Sequence, residues 1–541
     1  MTKSMGWVRA LGVLVLLPLA ACNMPAVRGA EGAPSSSVLP RSAPGGTSSA
    51  ASPATSGSAD YPIAAVRTFL AKVKAAETIK DPLQRCLAYP DPPGSHWPRD
   101  TTVAYCRYRS QPLMSANEIY ALIRNGHAAE LDRRMAAALQ AQRTRSKSHG
   151  LLDETYRRNF SRTTAEQRAL LDRWKHDSPA SAFAYAASGY AYEATAGQAR
   201  GTDYLSNTPR LSVDAMQRML DFAEVDLRHA IELEPHLTPA YVALIEGGNM
   251  GRDGAYLDDV GGQALSADAS DYSIYSSLMI VLQPNWHGSL EGMQQLAVLA
   301  RAHVAENPLL RLVLTAEPVY VVHHCNCDVA TRLAAYEKVF DQPAPASDFS
   351  KAAANLRPYP GKAAVYMSEA LRFDPLSPSA ADRVAERALR LSELGEPRWA
   401  LSEADRVLGI EPDSAGAYKV RALAHEALGN DAAAVQALER AVALDPSDIW
   451  SAVELANMYV DKTHQLSEAR RIADGLINDH PDDPRGWVIR ANVQSISGQP
   501  GLDDTIHYFL EHFGNDPEQQ DVVAQMRQAL AEEAAARAAK H

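Results

Sequence analysis

The chain has 541 residues, 46% of them hydrophobic, and carries 53 basic against 65 acidic side chains, a net charge of −12. That length exceeds one typical domain and suits two or three, and the acidic balance argues against nucleic acid, which requires a basic surface. Five cysteines matter only if the protein leaves the reducing cytosol, so the amino terminus is read first.

Lys3 and Arg9 form a basic flank to the apolar segment Val8 to Leu19, which Gly12 and Pro18 interrupt. The segment is too short to span a bilayer and reads as a removable export signal over residues 1–21. The string Leu19-Ala20-Ala21-Cys22 resembles the lipobox of bacterial lipoproteins, whose cysteine is acylated on sulfur and, after cleavage, on its new amino terminus. The plainer alternative is an ordinary export signal with an incidental cysteine. The resemblance implies lipidation at Cys22 and membrane lipid as a partner; two or more chains, at about 0.8 kcal/mol per buried methylene, anchor stably. Asn23 follows the cysteine, which is similar to the outer-membrane case in lipoprotein sorting. The expected location is therefore the bacterial cell envelope, lipid-anchored to the outer membrane and facing the periplasm. Without Lys3 and Arg9 the mature chain has 51 basic against 65 acidic side chains, or −14.

Residues 22–60 are mostly Ala, Ser, Pro, Gly and Thr, too polar and small to offset the entropy of ordering. They are expected to form a leash spanning on the order of 35 Å root-mean-square. Residues 61–114 are expected to be an irregular cap. There Cys86 and Cys106 bracket Pro90, Pro92, Pro93, Gly94 and Pro98, where a disulfide would contribute about 3 kcal/mol. Cys325 and Cys327 are the other disulfide candidates; four cysteines permit three pairings, of which Cys86 with Cys106 is favoured.

From 115 to 375 apolar residues recur at three- and four-residue spacing, which predicts a helical domain. A basic run, including Arg124, Arg133, Arg134, Arg157, Arg158, Arg168, Arg173 and Lys175, reads as a solvated surface balanced by acidic neighbours; an anionic partner is the alternative. The segments Cys86 to Gly94, Leu122 to Gly126, Ala199 to Gly201 and Gln283 to Ser289 resemble a family of uncharacterised bacterial proteins that join a domain of unknown function to helical repeats. The likeness, over about 71–308, implies an architecture and no activity.

Residues 376–541 carry a repeat. In Asp413 to Pro446, Tyr418 falls early, Gly429 marks a turn, Ala434, Leu438 and Ala441 follow at helical spacing, and Pro446 ends the unit. The closing prolines 412, 446, 481 and 517 lie 34, 35 and 36 residues apart. Small residues let paired helices approach and proline stops the second; the unit resembles the tetratricopeptide repeat. A similar unit ends at Pro235, before Thr238-Pro239-Ala240-Tyr241. The predicted fold is all-α, a tetratricopeptide-like helix-pair solenoid with an irregular, disulfide-stapled N-terminal cap.

Such solenoids present the first helix of each pair on a concave face. Counted from Ala415, Ile449 and Pro484, the groove candidates are Lys419, Glu426, Trp450, Asn457, Arg485 and Asn492. Asn457 and Asn492 occupy equivalent places, and an asparagine both donates and accepts, as a peptide backbone requires; the preceding repeat has Leu423 instead. The run His323-His324-Cys325-Asn326-Cys327-Asp328 is the densest set of metal-ligand types, but it lacks a second remote pair, so a disulfide is the better reading and no metal is assigned. Trp286-His287-Gly288-Ser289 has no nucleophile elbow, Asp253, Asp258, Asp259, Asp268 and Asp271 do not follow calcium-loop spacing, and His425-Glu426 lacks a second histidine four residues on. No catalytic residue or cofactor is assigned. The expected function is a lipid-anchored scaffold or assembly factor docking an unidentified envelope protein or peptide, with a hydrolase or metal-dependent enzyme in the central helical domain as the alternative.

Overall fold

The computed structural model describes residues 60–144, 149–162, 164–201, 207–375 and 380–538. Cys22 and the expected leader and leash before residue 60 lie outside them. Among the described residues all regular structure is helical. The chain divides into two compact units, residues 58–390 and a second that comprises 391–541.

The first unit opens with α1 (Ile63–Glu77), α2 (Pro82–Ala88) and α3 (Arg99–Ser110). The segment expected to be irregular is therefore irregular mainly across 89–98, where the prolines fall. Asp81 starts α2 by accepting from Gln84 N, with Pro82 at the first position, where no amide hydrogen is needed. Cys86 on α2 and Cys106 on α3 are disulfide-bonded, their Cα atoms 5.6 Å apart, so the staple closes the proline segment into a loop between two helices. Replacing both cysteines by serine is expected to cost this unit about 3 kcal/mol, read as a lower denaturant midpoint; an unchanged midpoint would show that the cap is held by packing alone.

Then follow α4 (Ala116–Arg124), α5 (Ala128–Thr144), α6 (Leu151–Phe160), α7 (Ala165–Asp177), α8 (Ala182–Arg200), α9 (Arg210–Leu233), α10 (Thr238–Gly251), α11 (Gly254–Ala267), α12 (Tyr272–Val281) and α13 (Leu290–Ala302). Ser115, Ser181, Asp253, Asp271 and Ser289 mark five of these starts as side-chain caps. Pro235 separates α9 from α10, at the boundary read from sequence. α8 crosses closely on α9 at Gly189. A Cβ at Gly189 would meet Leu227 Cγ at 2.5 Å and Ala223 O at 3.1 Å, so only glycine permits that approach. No described helix is long and apolar enough to cross a membrane.

A 3₁₀ segment (Pro308–Thr315) leads to α14 (Ala316–His324), α15 (Val329–Val339), α16 (Ala346–Asn355) and α17 (Pro360–Phe373). The cap packs on α17. Asp60 accepts from Gly361 N and Lys362 N, both at 2.8 Å, supplying a remote cap to the start of α17. At its far end the buried Arg372 donates to Cys86 O at 2.9 Å, Asp91 Oδ1 at 2.9 Å and Glu369 Oε2 at 3.1 Å, while Phe373 stacks on Tyr105 at 4.1 Å.

α18 (Ala380–Glu393) runs across the boundary between the units, later in the chain than the expected division at 375. The second unit continues with α19 (Pro397–Leu408), α20 (Ala415–Ala427), α21 (Asp431–Leu444), α22 (Ile449–Asp461), α23 (Leu466–Asp479), α24 (Pro484–Ser497), α25 (Leu502–Phe513) and α26 (Gln520–Ala538). Pairing is successive: α20 packs on α21, α22 on α23 and α24 on α25, with Ala434, Ala441, Ala469 and Ala473 buried at the crossings. Gly429 and Gly498 make the turns inside their pairs at positive φ. In the α22–α23 pair His464 takes this role at φ 55°, the one non-glycine residue in that conformation among the described residues. Its Nδ1 lies 3.0 Å from Val460 O.

Candidate functional site

The site is built from the first helices of three successive pairs, α20, α22 and α24. Their buried sides share one core, in which Ala422, Val453, Ala456, Ile489 and Val493 take part, with the partly buried Trp450 packed against it. Trp450, Glu454 and Asn457 follow at intervals of four and three, hence on one face of α22. On α24 Arg485 and Asn492 take the places of Trp450 and Asn457, and on α20 Lys419 and Glu426 are the groove candidates.

Lys419 Nζ lies 4.1 Å from the centre of the Trp450 ring and 3.2 Å from Asp448 Oδ2. The indole face and the carboxylate both attract the ammonium, so Lys419 holds Trp450 in place. Asp448 Oδ2 also accepts from Ser451 Oγ at 2.6 Å. Although burial works against it, these donors keep Asp448 below the ordinary carboxylate range. Arg485 is committed similarly: Nε lies 2.9 Å from Asp483 Oδ1 and Nη2 2.6 Å from Asp483 Oδ2.

Glu454 lies between these cations and is partly buried. Burial, followed by the negative charge of Glu426, pushes its carboxyl up to about 7 against the pull of Lys419 and Arg485. Lys419, Glu426, Trp450, Glu454 and Arg485 are thus drawn to one place. Asn457 Nδ2 and Asn492 Oδ1 are buried with no hydrogen-bond partner. Unpaired buried amide atoms cost roughly 1–3 kcal/mol each, and an arriving ligand that pairs them recovers that cost. The surface therefore combines an aromatic face, fixed cations and two neighbouring carboxyl groups, with two unpaired amide atoms buried behind it. It suits non-covalent recognition of an extended chain. Glu454 was not among the groove positions read from sequence, although the spacing from Trp450 and to Asn457 places it on the same face.

Elsewhere the sequence candidates hold structural positions. Cys325 and Cys327 are bonded to each other, which removes the thiolates a soft metal would need. His323 packs edge-on to Tyr336 and His324 stacks on Tyr320. Burial, with Lys351 and other cations nearby, pushes His323 down to about 4. Among the described residues no three His, Cys, Asp or Glu side chains converge as a metal site. His287 Nε2 lies 3.2 Å from Asn249 O, and Ser289 Oγ caps α13 at 3.1 Å from Gly292 N, so the two are spent on separate backbone contacts. Asp253 and Asp271 likewise cap helices. The basic run is laced with acids: Arg124 with Glu166 at 3.0 Å, Arg157 with Glu154 at 2.7 Å, Arg173 with Asp177 at 3.2 Å and Lys175 with Asp226 at 2.8 Å.

A tetratricopeptide-repeat family model matches residues 427–493, which contain α21, α22, α23 and most of α24. The C-terminal unit therefore carries tetratricopeptide repeats. Among solved structures, the crystal structure of the P58(IPK) TPR domain is 14% identical, covering 75% of this chain and 98% of its own, with a TM-score of 0.21. The structure of Naa15/Naa10 bound to HypK-THB is 14% identical, covering 86% of this chain and 78% of its own, with a TM-score of 0.34. No curated protein matches the chain.

Proposed function

We propose that this chain is a lipid-anchored envelope protein whose C-terminal repeats dock an extended peptide segment of another protein, so that it works as a scaffold or assembly factor without covalent chemistry. The observation that carries the reading is the inner face of α20, α22 and α24. There Asn457 and Asn492 hold unpaired buried amide atoms in equivalent places, beside a tryptophan clamped by Lys419. The repeat-family match over 427–493, which takes in α22 and most of α24, supports it. Cys22, behind Leu19-Ala20-Ala21, supplies the proposed anchor, with the periplasmic side of the outer membrane as the proposed address.

The test compares partner recovery from envelope extract by the wild-type chain, Trp450→Ala and Asn457→Ala/Asn492→Ala. Each variant is expected to lose about tenfold in recovery, as central aromatic and buried polar contacts do. Equal recovery by all three removes the groove from the mechanism. Independently, Cys22→Ala is expected to move the protein from the membrane fraction to the soluble fraction; persistence in the membrane fraction sinks the anchor.

A further inference from the structure

Charge is distributed unevenly along this chain. Residues 391–541 hold 26 acidic and 13 basic side chains, a net charge of −13, whereas residues 1–390 hold 39 acidic and 40 basic. The whole negative balance therefore belongs to the repeat unit. Such a field attracts positively charged segments and speeds their encounter.

The groove repeats this bias at close range. Its two cations are already engaged, Lys419 by Asp448 and the Trp450 ring and Arg485 by Asp483. Glu426 is exposed, and Glu454 accepts no hydrogen bond and makes no ion pair among the described residues. Asn492, 8% exposed, leaves Oδ1 unpaired on the same face of the unit. An anionic ligand would have to compete with Asp448 and Asp483 for the cations, whereas a cationic side chain finds two carboxyl groups.

We propose that the occupant of this groove is an extended peptide segment bearing lysine or arginine, with one cationic side chain seated between Glu426 and Glu454. The proposal rests on the groove reading above and adds the chemistry of the partner. The cation takes the place of the proton that Glu454 otherwise holds near neutrality. The peptide backbone pairs with Asn457 and Asn492, and Trp450 covers the aliphatic stem of the bound side chain.

The test measures fluorescence anisotropy of the full chain with three labelled peptides of equal length: alternating alanine and lysine, alanine and serine, and alanine and glutamate. The lysine peptide is expected to bind about tenfold more tightly than the glutamate peptide, the size of one charge-assisted contact. Glu426→Gln/Glu454→Gln is expected to reduce the lysine peptide to the affinity of the serine peptide. Binding of the serine peptide, unchanged in that variant, reports that the groove is intact. In the wild type, affinity for the lysine peptide is expected to rise between pH 6 and pH 8 as Glu454 ionises among Glu426, Lys419 and Arg485, and in the variant it is expected to stay level. Equal affinity for all three peptides, a preference for glutamate, or a lysine preference that survives both glutamines overturns the proposal while leaving the groove reading standing. Failure of every peptide to bind defeats the groove reading itself.

Discussion

Arg372→Ala is expected to destabilise the first unit by about 4 kcal/mol, the sum of a core cavity and several stranded polar groups. Its side chain is fully buried, yet it ends in a guanidinium that reaches four acceptors: Cys86 O, Pro90 O, Asp91 Oδ1 and Glu369 Oε2. Three of them belong to the cap, more than 280 residues away in sequence. The guanidinium also lies 4.9 Å from the Phe373 ring centre and 5.7 Å from that of Trp97. One side chain thus fastens the stapled cap to α17. Truncation leaves the Cys86 and Pro90 carbonyls short of a donor and opens a void beneath Trp97. Glu369 suffers less: burial already holds it up to about 8 despite Arg372, and without the arginine it simply keeps its proton. Denaturant unfolding of the variant measures the loss, and a change smaller than about 1 kcal/mol, within the range of an ordinary surface substitution, would show that the guanidinium does not secure the cap. Because the disulfide and Arg372 share Cys86, the variant lacking both is expected to lose less than the two separate losses together.

The helical repeats were legible because their markers are local. Proline 34 to 36 residues after proline, glycine at the turn and alanine at the crossing each act within one helix pair. The register read from Ala415, Ile449 and Pro484 coincides with the starts of α20, α22 and α24. The Cys86–Cys106 pairing was likewise suggested by the prolines it encloses. Non-local electrostatics was not legible. Nothing in the sequence around Arg372 says that its partners lie on α2 and in the loop after it, and nothing near Lys419 says that Asp448, 29 residues on, already holds it. Glu454 was legible in principle, since it stands four residues after Trp450 and three before Asn457, on the same helix face. His464 shows the limit of composition rules, since it adopts the turn conformation that glycine takes in the neighbouring pairs.

The first unit is expected to lose stability as pH rises from 6.5 to 8, by about 1.4 kcal/mol per pH unit for each buried acid still titrating in that window. Asp153 is held by Gln142 Nε2 at 2.6 Å and Thr238 Oγ1 at 2.6 Å. Burial, and then the charge of Asp271, pushes it well above the ordinary range. Glu193 is raised similarly by burial and by Glu246, and Glu369 is raised to about 8. Each folded value lies above its unfolded value near 4, so the native state binds more protons than the unfolded chain between the two. The stabilising contribution of these groups is complete below the unfolded values and disappears as pH passes the folded ones. His323 works in the opposite sense, because its folded value is depressed to about 4, but its effect ends near its unfolded value of about 6.5, which sets the lower edge of the window. Asp153→Asn keeps the shape and an acceptor for Gln142 while removing the titrating proton, and Asp271 still caps α12 through Ile274 N at 3.0 Å. The variant is therefore expected to show a shallower pH slope and to gain on the wild type as pH rises towards 8. Unfolding curves at pH 6.5, 7.2 and 8 decide the matter: parallel slopes in wild type and variant would mean that Asp153 is already ionised in the folded unit, and that Gln142 and Thr238 alone stabilise its charge.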